Sequence, residues 1–233
     1  WRQNPQTAAV NGNASVNFVD LGVLAELAAY LPLDAYTREL LKRHQPQGRI
    51  AELNARWGLA GERLTSYSLK AGFEQMGLLA AGYVPGAAGL TGRIDLTDKG
   101  GDLLLNSAGS KISLPAVFPE PDTLLDSLKA KASWKTTPRG VDVQLDKLEF
   151  ASPELAGSAR GNYRYTGEGP GEIDLTASVD RADARVVWRY MPHVVNAEAR
   201  NWIRRSLLAG QGSEGRLVLK GNLYDFPFRD DKG

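Results

Sequence analysis

The stretch "LKAKASWKTTPRGVDVQLDKLEF", residues 128–150, decides the fold class, because apolar and polar side chains alternate on both sides of a Pro-Arg-Gly turn. Successive side chains of a β-strand point to opposite faces, so a period of two predicts two half-buried strands. Proline and glycine supply the backbone angles of a tight turn. The stretch therefore predicts an antiparallel hairpin with one apolar and one polar face.

The same alternation recurs over most of the chain beyond residue 49. It appears in "GRIDLTD" (92–98), "GDLLLNS" (101–107), "ELAGSARGNYRY" (154–165), "GEIDLTASVD" (171–180) and "GRLVLKGNLYDF" (215–226). Turn clusters separate these segments: "DKGG" at 98, "TPRG" at 137, "ASPE" at 151 and "GEGPG" at 167. The uncharged run at 75–92 contains Pro85 and five glycines, which indicates strand, turn and strand rather than a membrane span. The pattern predicts an antiparallel meander joined by hairpins.

Two stretches break this period and predict helical hairpins set into the sheet. Asp20 can cap a first helix that Pro32 ends, and a second helix is predicted from about residue 34 to residue 43. The predicted apolar stripes are Leu21, Leu24, Leu27, Ala28 and Leu31 in the first helix, and Leu33, Tyr36, Leu40 and Leu41 in the second. Near residue 196 a further amphipathic helix is predicted, with Asn196 as its N-cap.

The two helical stretches resemble each other and indicate a repeat. Val19-Asp20 and Tyr30-Leu31-Pro32 match Val179-Asp180 and Tyr190-Met191-Pro192 without a gap; Arg38, Leu40, Leu41, Lys42 and Arg43 match Arg200, Trp202, Ile203, Arg204 and Arg205; Gly48-Arg49-Ile50 matches Gly215-Arg216-Leu217. Ordered self-similarity of this kind is typical of repeat architectures. The chain is expected to hold one full module and the start of another.

The helix near residue 196 carries the densest group of cations. Ala199, Trp202, Ile203 and Leu207 are spaced as its inward face, and Arg200, Arg204 and Arg205 as its polar face. A nucleic-acid site needs aromatic and cationic side chains on one exposed face, and here they are predicted on opposite faces. The favoured interpretation of the three arginines is a solvated polar face of a packed helix, and contact with a lipid headgroup or a protein partner is the alternative.

Composition disfavours several functional classes. Lys and Arg number 28 against 27 Asp and Glu, so no overall field draws the chain to nucleic acid. The chain has no cysteine, and its two histidines, His44 and His193, lack metal-ligand spacing. No nucleophile elbow, P-loop or kinase motif is present. We expect no catalytic residue, no metal and no cofactor, hence no enzyme.

Several motifs together carry a family resemblance. "AAYLPL", "LTGRIDLTDKGG", "LPAVFPEP", "ASWK", "RYMP", "NWIRRSLLAGQG" and "KGNLYDFPF" resemble, in this order, the middle of the YhdP family of AsmA-like envelope proteins of diderm bacteria. The resemblance extends over essentially the whole chain. It implies a periplasmic segment of a protein anchored in the inner membrane, built as an open curled sheet with an apolar concave face. It also implies a role in moving phospholipids between the inner and outer membranes and in the permeability barrier.

The sequence is accordingly interpreted as an internal, mainly β segment of a lipid conduit, an elongated open groove with inserted helical hairpins. Predicted lining residues are Leu103, Leu105, Trp134, Val143, Leu145, Leu155, Ala159, Tyr163, Ile173, Leu175, Leu217 and Leu219. The predicted divisions are 1–48 (strand end and helical hairpin), 49–180 (meander), 181–214 (second helical hairpin) and 215–233 (first strand of the next module). Period-two patterning does not separate an open sheet from a closed sandwich. A structural or protein-binding module with a dry core therefore remains the alternative.

Overall fold

The computed structural model describes residues 2–4, 9–27, 34–61, 63–82 and 84–226. The strands are β1 (Arg2–Asn4), β2 (Ala9–Asp20), β3 (Gln47–Ala60), β4 (Arg63–Leu78), β5 (Gly86–Thr97), β6 (Gly100–Ser113), β7 (Asp122–Thr137), β8 (Gly140–Ala151), β9 (Leu155–Tyr165), β10 (Glu172–Asp183), β11 (Gln211–Gly212) and β12 (Gly215–Asn222). The helices are α1 (Leu21–Leu27), α2 (Ala35–His44) and α3 (Ala197–Ser206), with 3-10 helices at Ala184–Tyr190 and Leu223–Asp225.

Within these residues the strands form one 12-stranded antiparallel sheet in which neighbours in sequence pair from β1 to β10. Both β11 and β12 pair with β10 on the side opposite β9. The end strands do not pair with one another, so the sheet stays open. The predicted mainly β meander with inserted helices is confirmed, and so is the open sheet in place of a closed sandwich.

Bulges bend the sheet at several points. The β7–β8 register shifts at Asp146 and Lys147, where the alternation of the sequence is also interrupted. Leu145 and Leu148 nevertheless pair with Ala132 and Ala130, so both leucines stay on the apolar face. An extra residue in one strand increases the local twist and bends it. The bulge therefore allows the sheet to curl while its two faces remain unmixed.

The loops that connect the strands lie along two opposite margins of the sheet, one at each end of the strands. Tight turns at 98–99, 138–139 and 166–171 join β5–β6, β7–β8 and β9–β10; we call this the turn edge. The other edge carries the inserts: α1 and α2 after β2, the segment 114–121 after β6, residues 152–154 after β8, and 184–210 after β10. We call this the helical edge. Both helical inserts lie on it because β2 and β10 run in the same direction.

Side-chain caps begin the helices where the sequence predicts them. Asp20 Oδ1 accepts from the backbone of Gly22 at 2.9 Å, and Asp34 Oδ1 accepts from Thr37 at 2.9 Å. Asn196 Oδ1 accepts from Ala199 at 2.8 Å. Such caps satisfy backbone donors that have no partner within the helix. The predicted end of the first helix at Pro32, and the stripe residues Ala28, Leu31 and Leu33, lie outside the described residues.

One stripe residue of α2 contradicts the prediction. Tyr36 is 73% exposed, whereas Leu40 and Leu41 are half-buried. The sequence spacing assumes a helix covered along its whole length, but the first turn of α2 projects from the sheet edge. Tyr36 therefore does not belong to the apolar stripe.

Candidate functional site

An unbroken row of apolar residues crosses the sheet perpendicular to the strands. Direct cross-strand pairing joins its members, which we call the central row: Ala71, Ile94, Leu103, Ala132, Leu145, Gly161, Leu175 and Leu219. The row covers β4 to β10 and then β12. Strands lie about 4.8 Å apart, so seven spacings give an apolar track about 34 Å long.

Parallel rows widen this track on both sides. Toward the turn edge runs the row Leu69, Leu96, Gly101, Trp134, Val143, Tyr163 and Ile173. Toward the helical edge runs the row Phe73, Gly92, Leu105, Ala130, Leu148, Ala159, Ala177 and Leu217. We call the three rows together the apolar face. It extends across the strands instead of forming one local pocket.

Eleven of the twelve predicted lining residues lie in these rows. Leu155, the twelfth, pairs with Ala182 near the helical edge, outside them. Several residues of the face were not predicted, among them Ile94, Leu148 and Phe73. Leu148 has a signal in the sequence, since it follows the polar pair Asp146-Lys147 that marks the bulge. Phe73 and Ile94 are identified only by strand register.

Four aromatic rings of this sheet lie flat over glycines. Phe73 pairs with Gly92, Trp134 with Gly101, Phe150 with Gly157, and Trp57 with Gly12. At each glycine an added Cβ would collide with or crowd the ring of its partner. Aromatic side chains thus cover glycine backbone instead of projecting from the sheet. Together with the alanines at positions 71, 130, 132, 159 and 177, they reduce the height to which side chains project from the apolar face.

The apolar face is only partly buried, and no large side chain among the described residues is fully buried. Its most buried members are Phe73 at 7%, Ala71 and Ala130 at 8%, and Ala159 at 9%. The central-row leucines are half-buried. Helix α1 packs mainly on β2 and β3, and the first 3-10 helix packs on β10 and α3. No described helix lies across β4 to β9, so the middle of the face has no covering layer.

The polar face carries cross-strand ion pairs. Lys70 pairs with Asp95 at 2.5 Å, Lys131 with Asp146 at 3.3 Å, Arg164 with Asp142 at 2.8 Å and Lys220 with Asp174 at 3.2 Å. A depression of about 690 Å³ lies on this face, between β7 and β12. Its charged side chains include Arg164, Asp142 and Lys220, which are already paired with one another or with neighbours. It is a solvated polar surface.

The helical edge is braced by side-chain contacts between its inserts. Arg189 donates to Glu120 at 3.0 Å and to Glu154 at 2.8 Å, and Tyr190 donates to Glu154 at 3.2 Å. Burial raises the pKa of Tyr190, and the negative charge of Glu154 adds to this rise. The guanidinium of Arg181 donates to the carbonyls of residues 152 and 153. The segment 184–190 is thereby fixed to the loops after β6 and β8.

Both histidines hold neighbouring loops along the same edge. The His44 ring lies 3.0 Å from the carbonyl oxygen of Leu79, and the His193 ring lies 3.0 Å from that of Pro115. The backbone of His193 also donates to Val117 at 2.9 Å. Among the described residues no group of three or more acidic or histidine side chains is placed to hold a metal ion.

Helix α3 corrects one sequence prediction. Trp202 is 69% exposed, although the helical spacing placed it on the inward face. Ala199, Arg200 and Ile203 are half-buried instead, so the packed face of α3 is rotated toward Arg200. Trp188 of the 3-10 helix stands against this face, and the Arg204 guanidinium lies 4.7 Å from the centroid of its ring. A cation can bind the face of an indole in this way.

The three candidate arginines consequently differ in their surroundings. Arg200 donates to the carbonyl oxygen of Val195 at 2.6 Å, and Arg204 stacks on Trp188. Arg205 is exposed and makes no ion pair among the described residues. The guanidinium groups of Arg200 and Arg204 thus stabilise the insert itself. Of the three, only Arg205 presents its charge to solvent without such a contact.

A comparison with known protein families identifies the family of the chain. No helix in the described part of the chain combines the length and apolar character needed to cross a membrane. Searches of curated proteins and of solved structures found no match. The family model described as YhdP protein matches residues 1–233. The chain therefore belongs to the YhdP family of bacterial envelope proteins.

Proposed function

We propose that this chain is a segment of a non-enzymatic lipid conduit, with phospholipid acyl chains lying on the apolar face. The central row supports the proposal most directly, because it stays apolar across eight strands and has no described helix over its middle. Each acyl CH₂ group removed from water contributes about 0.8 kcal/mol of favourable free energy. Covering the half-buried leucines of the face with an acyl chain also contributes favourable free energy.

The repetition of the face favours movement along it. Each row presents aliphatic, aromatic or glycine residues and no charged residue at successive strands, so a lipid displaced by one strand spacing of about 4.8 Å meets another apolar surface. Dispersion contacts are individually weak and non-directional. Transport then proceeds by passive sliding and needs no cofactor. Glycines and flat aromatic rings leave space for the lipid above the sheet.

Family membership supports a cellular location and a transport role for this surface. In the proposal the segment lies in the periplasm, within a longer protein anchored in the inner membrane. It carries phospholipid between the inner and outer membranes and contributes to the outer-membrane permeability barrier. Phospholipids are the principal partners, and other envelope proteins are candidate partners at the helical edge. The proposal includes no nucleic-acid partner.

The competing function is a structural or protein-binding module whose sheet packs dry. The uncovered middle of the apolar face disfavours it, since a dry core requires a second layer of side chains. A protein partner could supply such a layer in place of lipid. The two functions differ in whether the isolated chain takes up phospholipid.

Lipid uptake by the purified chain tests the proposal. The delipidated chain is incubated with phosphatidylethanolamine and phosphatidylglycerol vesicles that contain a trace of acyl-labelled phosphatidylethanolamine, and it is then separated from the vesicles by size exclusion. Co-elution of label with the protein, and release of that label to acceptor vesicles, is the expected result. A folded chain that elutes without lipid contradicts the conduit and favours the dry module.

A further inference from the structure

We infer that phospholipid headgroups leave the apolar face at the turn edge, where Lys99 and Arg139 attract the phosphate. The helical edge, with its group of arginines, is then the closed side of the groove. This inference rests on the proposed function and adds to it the orientation of the bound lipid. It assigns a headgroup site to residues on which no catalytic or metal chemistry depends.

Aromatic residues mark the turn edge of the apolar face. Trp57 and Tyr67 pair with each other on β3 and β4, Trp134 lies on β7, and Tyr163 and Tyr165 lie on β9. The Tyr163 hydroxyl donates to the carbonyl of Pro170 at 2.9 Å, and the Tyr165 hydroxyl donates to that of Gly167 at 3.0 Å. Both hydroxyls thus reach the turn at 166–171. Tryptophan and tyrosine combine an apolar ring with a polar tip and favour the boundary between hydrocarbon and headgroup.

On the apolar face of β4 to β9, the tyrosines nearest the turn edge are more exposed than the residues at the opposite margin. Tyr67 and Tyr165 are 39% and 38% exposed at the turn edge. At the opposite margin Leu128 is 5% and Ser107 is 3% exposed. Leu128 and Ser107 pair directly on β7 and β6, each six residues from the strand end that leads into the segment 114–121. This margin of the apolar face therefore offers little room for a solvated headgroup.

Two cations of the turn edge make no ion pair. Lys99 and Arg139 are exposed residues of neighbouring turns. Neither makes an ion pair in the described part of the chain. At the helical edge, by contrast, the guanidinium groups of Arg181 and Arg189 are engaged with carbonyl and carboxylate oxygens.

The turn edge has acidic residues as well. Asp98 belongs to the same turn as Lys99, Glu168 belongs to the turn at 166–171, and three further carboxylates lie within three residues of these turns: Asp102, Asp142 and Glu172. The edge therefore carries charges of both signs, and the phosphate is assigned to the two exposed cations of the turns. A lipid phosphate located beside the aromatic residues is attracted to Lys99 and Arg139, while its acyl chains extend over the central row toward Leu128. Fixed charge at one edge and hydrocarbon behind it give the lipid one orientation.

Two photoreactive lipids test the orientation on the 233-residue chain. One is phosphatidylethanolamine with a diazirine on the headgroup amine, and the other has the diazirine at the end of an acyl chain. The chain is loaded from vesicles containing either probe, irradiated and digested, and the labelled peptides are identified by mass spectrometry. The headgroup probe is expected to label 98–101, 137–141 and 166–171. The acyl probe is expected to label the central strands and the margin near Leu128.

A matched pair of variants adds an energetic test. Each cation removed in Lys99→Ala/Arg139→Ala is expected to lower lipid affinity about fivefold at low salt, an effect that salt weakens. Arg205→Ala removes an unpaired cation from the helical edge and is expected to leave affinity within twofold of the parent. Equal losses in the two variants would overturn the inference.

The labelling outcomes separate this inference from the proposed function. Acyl labelling of the apolar face together with headgroup labelling at 114–121 and 184–210, or labelling spread over both edges, overturns the orientation but leaves the conduit intact. Absence of labelling by both probes in a folded chain overturns the conduit and the orientation together.

Discussion

The indole of Trp57 lies across Gly12, its direct partner on the neighbouring strand. A Cβ at residue 12 would overlap the indole, and its three nearest atoms all belong to that ring. The ring therefore occupies the space that a side chain at residue 12 would need. The same arrangement joins Trp134 to Gly101 and Phe73 to Gly92, so glycine and aromatic residues act as pairs in shaping the apolar face.

Gly12→Ala is expected to displace the Trp57 ring from the sheet. Overpacking of this kind costs about 1–3 kcal/mol of unfolding free energy. Urea unfolding monitored by circular dichroism measures the loss. Gly72→Ala is the matched control, because its Cβ would meet only two carbonyl oxygens, at 3.5 and 4.0 Å, and it is expected to be neutral or slightly stabilising. Equal stability of the two variants would show that the ring does not need the glycine.

Leu175→Gln tests whether the central row is a lipid surface or a core. Leu175 is half-buried, so the loss of unfolding free energy is expected to be about 1 kcal/mol, below the 2–5 typical of a deleted core side chain. Lipid uptake is expected to fall at least fivefold, because an amide under an acyl chain has no hydrogen-bond partner. Ser178→Asn on the polar face of the same strand is the control. A loss of several kcal/mol at Leu175 would instead indicate a dry core.

Arg189→Ala is expected to loosen the segment 114–121. The substitution removes contacts to Glu120 at 3.0 Å and Glu154 at 2.8 Å, and the Arg189 side chain is only 32% exposed. A loss of about 1–2 kcal/mol is expected, since solvent screens part of the interaction. Hydrogen exchange at Val117 and Phe118, whose amides donate to Leu114 at 3.0 Å, should accelerate. Arg205→Ala should change neither quantity; unchanged exchange in the Arg189 variant would contradict the bracing role.

The carboxylate of Asp183 is expected to titrate unusually low. Hydrogen bonds from the Arg185 side chain and from its backbone N–H lower the pKa of Asp183 to about 2. A lowered pKa in the folded state contributes stability above the unfolded value near 3.9, and this contribution is lost as pH falls through about 2. Carbon-13 NMR measures the titration directly. Arg185→Gln keeps the backbone donor and should raise the pKa of Asp183 part of the way to its ordinary value; an unchanged pKa would contradict the assignment.

Alternation in the sequence was sufficient to predict the strands β5 to β10 and β12 and their faces. Leu103, Leu145 and Leu175 occupy a single cross-strand row because each strand keeps its period of two and the turns fix the pairing. The short polar residues Asp20, Asp34 and Asn196 likewise marked the predicted starts of the helices. These features depend on residues close together in the chain.

Features that depend on register or on packing between distant segments could not be predicted in this way. The pairing of Gly12 with Trp57 requires the alignment of β2 with β3 across two intervening helices. Trp202 was placed inward by helical spacing, but Trp188 and Arg204 decide which face of α3 packs. The contrast between the turn edge and the helical edge also depends on strand pairing, because pairing decides which loops lie at the same end of the strands.

Contact between an acyl chain and Trp134 tests the central claim most directly. Two single-tryptophan variants retain Trp134 on the apolar face or Trp202 on the exposed side of α3, with phenylalanine at the other tryptophan positions. Each is loaded with phosphatidylethanolamine brominated on its acyl chains, which quenches the fluorescence of tryptophans in contact with them. The account predicts strong quenching of Trp134 and little of Trp202. Quenching of Trp202 alone, or of neither residue in a folded chain, would contradict binding of lipid on the apolar face.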